Sequence, residues 1–306
     1  MRGVGSGLSS AAVRHPLAAL ATANLLYSGA FPASQVALRD FSPVTLTGLR
    51  FAIAGLVLAP IAIPVIRRLA ASDLRGLFAV AALGLWVQMV LIYLGIDQAN
   101  SAIAAIIVGL EPVMIVLWAA LLLNERFGRR TAAGLGIGLA GSLLVSGLGR
   151  SDGASTLSLL FLIGTGLTFS WYTVASKSYL NRCSPLELTA TISLLGAVFG
   201  LVPMALDAGL ADGIDSPDMR AWLIVLFLGI GNSVIAYVLW NRALRGLPAG
   251  AVGASLYAQP VLGAGLSWFL LRDPLPGTFL PGAALVLLGV WIATSRRRGR
   301  VAAPAP

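Results

Sequence analysis

Glu111 is the only acidic residue near the centre of an apolar run in this chain. A carboxylate in hydrocarbon is costly, so it must face a polar cavity, pair with a cation, or stay protonated. One chemistry that fits is holding a substrate amine or passing a proton. The other is a protonated acid that donates a hydrogen bond to a neighbouring helix. Gln259 stands at the equivalent place 148 residues later and cannot titrate, so the two halves would not be interchangeable in a proton step. Each is followed by a proline, Pro112 and Pro260. A proline in mid-run removes a backbone donor and frees the carbonyl four residues back, here Val108 or Leu256. Membrane helices tolerate this where the freed group lines a cavity or finds a partner, and a kink that opens a midplane pocket is the expectation.

Other polar and aromatic residues fall at similar depth in other runs: Asn24 and Tyr27, Gln88, Trp171 and Tyr172, and Asn232. An uncharged polar ring with aromatic walls suits a zwitterionic or amphipathic metabolite, because amides can bond amine and carboxylate alike. Each alone also has the look of an ordinary interhelical hydrogen bond. Tyr93, Tyr237, Trp240 and Trp268 lie nearer the ends of runs, where an interfacial aromatic belt is expected. Arg50 sits about one turn inside its run, placed to pair with Asp40 or Asp97 as an outer gate, or to snorkel to the headgroups. Glu125 and Asp273 each end a run, with Arg126 and Arg272 as expected partners.

No metal or cofactor site is expected. The single Cys183 rules out an internal disulfide and a cysteine cage, the single His15 precedes the first run, and no phosphate loop is present. ATP-driven transport and an intramembrane enzyme both lack the residues they need.

The elements that must carry these residues are membrane helices. Hydrophobic residues make up 58% of 306 positions and charged residues 11%, a balance that a water-facing surface does not accommodate. The net charge of +9 sits in short breaks between apolar runs, which is a positive-inside pattern and gives no support for nucleic acid as a partner. At about 20 apolar residues per crossing, ten spans can be cut: 16–37, 45–66, 74–96, 100–123, 131–149, 156–177, 186–206, 220–242, 249–271 and 277–295. The first is too long for the apolar core of a signal peptide and is kept as an uncleaved span. In alternate ends Lys and Arg count sixteen against four, which puts the tails 1–15 and 297–306 in the cytoplasm.

The chain repeats itself. Gly109-Leu110-Glu111-Pro112-Val113 answers to Tyr257-Ala258-Gln259-Pro260-Val261, Leu122-Leu123-Asn124-Glu125 to Leu270-Leu271-Arg272-Asp273, and Gly134 and Gly141 to Gly282 and Gly289. Ser42-Pro43 is answered by Ser184-Pro185. Five spans is an odd number, so the second copy enters the membrane from the opposite side. The expected fold is an all-α membrane protein of ten transmembrane helices in two inverted-topology five-helix repeats, residues 16–149 and 156–296. Secondary transporters with inverted repeats hold substrate near the midplane between the halves.

Tyr27-Ser28-Gly29, Ser42-Pro43, Arg50-Phe51, Glu111-Pro112, Leu123-Asn124-Glu125-Arg126 and the pair Gly134 and Gly141 resemble the EamA-type repeat of the drug/metabolite transporter superfamily, in two copies over nearly the whole chain. The resemblance implies a multi-pass carrier of the cytoplasmic (inner) membrane, commonly an exporter of amino acids or other small metabolites. It would place the fifth and tenth spans, with the Gly134-x-x-x-Gly138 stripe, in a packing or dimer region, as monomer or homodimer. Its partners would be a small-molecule substrate and the lipid bilayer, with proton coupling through Glu111 a separate expectation. A passive facilitator or channel and a lipid or glycolipid flippase remain as alternatives.

Overall fold

The computed structural model describes residues 16–98, 109–125, 127–145, 156–207, 218–271 and 275–294. These residues are helical throughout, with no strand among them. We number the rods in chain order: α1 (Pro16–Ala37), α2 (Pro43–Arg68), α3 (Ala71–Ala79, running on through Val80–Val87 and Gln88–Gln98), α4 (Glu111–Leu123), α5 (Arg129–Val145) and α6 (Thr156–Tyr179). There follow α7 (Pro185–Ala205), α8 (Met219–Leu226, running on through Phe227–Ala236 and Tyr237–Gly246), α9 (Ala249–Ala254, Ser255–Tyr257, Ala258–Leu271) and α10 (Phe279–Thr294). Rods α2, α3, α6, α7 and α8 are long and apolar enough to cross a membrane, while α4 and α10 are apolar but shorter as described. Large side chains such as Leu56 (78% exposed) and Leu280 (77% exposed) point outward, as a lipid-facing surface requires and a water-facing one does not.

The repeated Ser-Pro pairs start helices in both halves. Pro43 and Pro185 occupy the first turn, where a missing N–H is harmless. Ser42 Oγ accepts from the Thr45 amide at 3.0 Å. Ser184 Oγ accepts from the Glu187 amide at 3.2 Å, and Glu187 Oε2 accepts in return from the Ser184 amide at 2.8 Å, a reciprocal cap. The two caps then differ in their long-range tie. Asp207, from beyond the end of α7, accepts from the hydroxyls of Ser42 and Thr45 and so joins the start of α2 to the end of α7.

Two rods are not simple α-helices. In α3 the segment Val80–Val87, and in α8 the segment Phe227–Ala236, are wound as π-helix. Such segments are rare and often lie at functional sites. Both are glycine-bearing where they meet a neighbour. A Cβ on Gly84 would stand 2.7 Å from Tyr172 Cβ of α6, and one on Gly229 would stand 2.8 Å from Ile53 Cγ2 of α2.

Rod α2 lies along α7, α3 and α4 lie along α6, and α1 runs against α8 and α9. Away from this centre α5 pairs with α10, their backbones in direct contact. A Cβ on Gly134 would meet Gly289 O at 2.7 Å, and one on Gly141 would meet Gly282 O at 2.7 Å. Small residues allow this approach in membranes.

Candidate functional site

A single cavity at the centre gathers side chains from α1, α2, α3, α4, α6, α8 and α9, with a volume of about 70 Å³. Of the residues singled out by sequence, Tyr27, Arg50, Gln88, Glu111, Asn232 and Gln259 line it. The π-helical segments set two of these. Gln88 follows the first and Asn232 lies inside the second. Five residues beyond each comes a tyrosine, Tyr93 and Tyr237, and both also line the cavity.

Those tyrosines correct the expectation of an interfacial belt. Tyr93, Tyr237 and Trp240 are all buried inside the bundle, and among the described residues of that set only Trp268 is exposed. Length along the span suggested the membrane surface, but packing inside the bundle decided otherwise. The missed signal was the shared spacing of an amide and a tyrosine in α3 and α8, Gln88 with Tyr93 and Asn232 with Tyr237.

Arg50 does not pair with Asp40, which is exposed at the surface, and the side chain of Asp97 lies outside the described residues. The guanidinium is 2% exposed. It donates from Nε to Ser233 Oγ at 2.5 Å, from Nη1 to Tyr93 Oη at 3.1 Å and to Met89 Sδ at 3.0 Å, and from Nη2 to Asn232 Oδ1. It therefore ties α2 to α3 and α8.

Glu111 opens α4 as described and is 6% exposed. It packs beside Gly166 of α6, where a Cβ would stand 3.5 Å from Glu111 Cγ. Pro112 takes the next position, in the first turn; Val108 lies outside the described residues. In α9 the chain narrows to a 3-10 turn over Ser255–Tyr257, immediately before the α-helical segment that carries Pro260. Leu256, whose helical partner Pro260 removes, lies in that turn.

Three expected residues stand behind the cavity instead of in its wall. Asn24 donates to Ser255 Oγ at 2.9 Å and accepts from Gln259 Nε2 at 3.2 Å, joining α1 to α9. Tyr172 lies beneath, its hydroxyl 3.4 Å from Asn241 Oδ1. Trp171 is half-buried and packs against the core.

Below the cavity the rings of Tyr27, Phe169, Tyr172, Tyr237 and Trp240 form one layer, with centroids 5.6–5.9 Å apart in the contacting pairs. Beyond that layer lies the end of the bundle that carries most of the arginines. Here Glu125 Oε1 meets Lys177 Nζ at 2.5 Å; Arg126, the partner expected from the sequence, lies outside the described residues. Lys177 also donates to Leu247 O at 2.9 Å, and Glu125 Oε2 accepts from the Ala249 amide at 3.0 Å. Asn124, in the left-handed region at φ 52°, ends α4 and turns the chain toward this contact. Arg182 pairs with Asp73 at 2.9 Å, and Arg68 pairs with Glu187. Each of the three pairs joins the first half of the chain to the second. Between the last two pairs lies Cys183, buried, its thiol pushed up from the usual range by burial first and by Glu187 next, with Arg68 opposing. Arg272 and Asp273 lie outside the described residues.

A bundle of apolar helices around a small, largely apolar cavity with a few polar side chains in its wall, closed on one side by rings and ion pairs, is a layout for moving a solute through a membrane. Among the described residues no three metal-ligating side chains stand together. The chain matches the EamA-like transporter family over residues 16–147 and again over residues 156–295, and it belongs to that family. It is 29% identical over 270 residues to an uncharacterized transporter of Archaeoglobus fulgidus, covering 88% of this chain and 94% of the relative. It is 28% identical over 283 residues to a probable terminal-alkyne amino-acid exporter of Streptantibioticus cattleyicolor, covering 92% of this chain and 94% of that one. A solved crystal structure, 27% identical, superposes with a TM-score of 0.73 over 90% of this chain and 95% of the other. The family and these relatives are transporters, not enzymes, and the chain is a multi-pass membrane protein.

Proposed function

We propose that this protein is a secondary carrier that exports a small amino acid or related compound across the cytoplasmic membrane by alternating access. The reading takes the chain as ten spans in two inverted five-helix repeats, 16–149 and 156–296, with both tails in the cytoplasm. The observation that carries it is the central cavity, whose polar wall is drawn from both segments that match the family. The exporter relative adds support for the amino-acid class. In this conformation the aromatic layer and the ion pairs close the arginine-rich end, and rocking of one repeat against the other would open it to load substrate.

Coupling to an inward proton flow through Glu111 is a separate part of the proposal. It draws on the placement of a carboxyl in the cavity wall while Gln259, also in that wall, cannot titrate.

Uptake of a panel of labelled amino acids into proteoliposomes, with and without an imposed pH gradient, tests both parts. Saturable uptake that accumulates only under the gradient, and is lost in Glu111→Gln, is the expected result. Saturable uptake that ignores both gradient and variant leaves a facilitator and removes the proton role of Glu111. Uptake that does not saturate identifies a channel, and scrambling of labelled lipid in the same vesicles identifies a flippase.

A further inference from the structure

Resting on the carrier reading, we propose that Arg50 binds the carboxylate of the substrate while Glu111 and Gln88 Oε1 receive its ammonium, so that the cavity selects zwitterionic α-amino acids over their amides and amines.

Arg50 carries an uncompensated charge. Arg50 is buried in a membrane bundle, yet its partners Ser233, Met89, Tyr93 and Asn232 are all neutral, and no carboxylate among the described residues pairs with it. A buried charge without a counterion is destabilising. A guanidinium has five N–H donors, and those bonds occupy four of them, one on a weakly accepting sulfur. The remaining Nη2–H has no partner among the described residues. The neighbours aim the group rather than neutralise it: Tyr93 and Asn232 fix both Nη atoms in the wall of the cavity. Planar, directed and short of an anion, Arg50 keeps one Nη2–H to give to a carboxylate in a charge-assisted bond.

The same wall also holds a carboxyl. Glu111 lines the same cavity, and no ion pair joins it to Arg50. Gln88 Oε1 is buried and has no hydrogen-bond partner, although it too belongs to the cavity wall. A carbonyl oxygen left unbonded in a buried site carries a desolvation cost that a ligand donor would relieve. An ammonium supplies three donors, enough for a carboxylate and an amide oxygen together. Phe31, Met89, Ile92 and Phe169 complete the lining, leaving the side chain of the amino acid an apolar surface.

The test uses the full-length protein in detergent and in proteoliposomes. The amino acid that binds best in a panel is compared with its primary amide, its decarboxylated amine and its deaminated acid, by protection against thermal unfolding and by competition with labelled uptake. The expected result is that the zwitterion binds at least about tenfold more tightly than any of the three, since a site built to hydrogen-bond a group rejects analogues that lack it. In Arg50→Gln the preference over the amide is lost while the preference over the deaminated acid remains. If Arg50→Gln does not fold, Arg50→Lys keeps the charge and is expected to retain the acid preference at reduced affinity. The wild-type series needs no variant. Equal binding of acid and amide by wild type, an Arg50→Gln protein that still discriminates between them, or no binding by any member of the panel each overturns the assignment. A zwitterion bound with this selectivity but never translocated sinks the carrier and leaves the assignment standing. Translocation without the selectivity does the reverse.

Discussion

The two ends of the bundle are tied together by different means. At the arginine-rich end, among the described residues, three ion pairs join the halves beneath a layer of five aromatic rings. At the other end the described cross-tie is Asp207 on the hydroxyls of Ser42 and Thr45. Ion pairs with solvent access contribute little each, so the first arrangement is easily undone and quickly remade. The second is a single acceptor from beyond the end of α7, held on the hydroxyls of the residue that caps α2 and of Thr45. One end has the physical character of a latch, the other of a fixed joint.

Breaking the latch should give the largest effect. Lys177 and Glu125 are each about a fifth exposed, 21% and 19%, and Lys177→Ala leaves Glu125 with the Ala249 amide as its described partner. Transport is expected to fall about tenfold, and the double exchange Glu125→Lys with Lys177→Glu should recover part of it. An exchange that transports no better than the single variant would mean that packing, and not charge, closes this end. A smaller effect is expected at the joint. Asp207→Ala removes the acceptor shared by Ser42 and Thr45, a loss of about 1 kcal/mol. The midpoint of thermal unfolding should drop by a few degrees with transport intact, and a transport defect without loss of stability would make this end a gate as well.

The smallest effect is expected at the one thiol. Cys183 is the only cysteine in the chain and lies between two of the ion pairs. Its raised thiol, protonated through neutral pH, and its burial should make maleimide labelling slow at pH 7. Because burial raises the thiol, labelling should quicken as pH rises past the ordinary thiol range. Arg182→Ala removes a cation that lowers the thiol and frees Asp73, which raises it, so labelling at fixed pH should slow by roughly a few-fold. Labelling that is fast in the wild type would show that this end spends most of its time open.

What the sequence made legible is what the bilayer enforces. Uninterrupted apolar runs, Ser-Pro starts and a carboxyl at mid-span follow from solvation costs that act residue by residue, so Glu111, Gln88 and Asn232 could be singled out without a fold. Partner choice could not. Glu125 meets Lys177, 52 residues away, and Arg50 meets groups on two other rods, because three-dimensional proximity within a bundle of uniformly apolar helices leaves no periodic trace. Tyr93 and Tyr237 were misplaced for a related reason. Distance along a span predicts depth, but not whether a side faces lipid or protein.

The π-helical segments of α3 and α8 bear on this last point. Each residue of an α-helix advances about 100° around the axis, and a π-turn takes up roughly one residue more. Each rod therefore carries a phase slip, and the face it turns inward above the slip is not the continuation of the face below. Gln88 stands at the end of the first slip and Asn232 within the second. Moving a slip along its rod by one residue would rotate the residue it passes by about 100° and leave both ends of the rod where they were. The direction of two amides in the wall of the cavity thus hangs on a count of one.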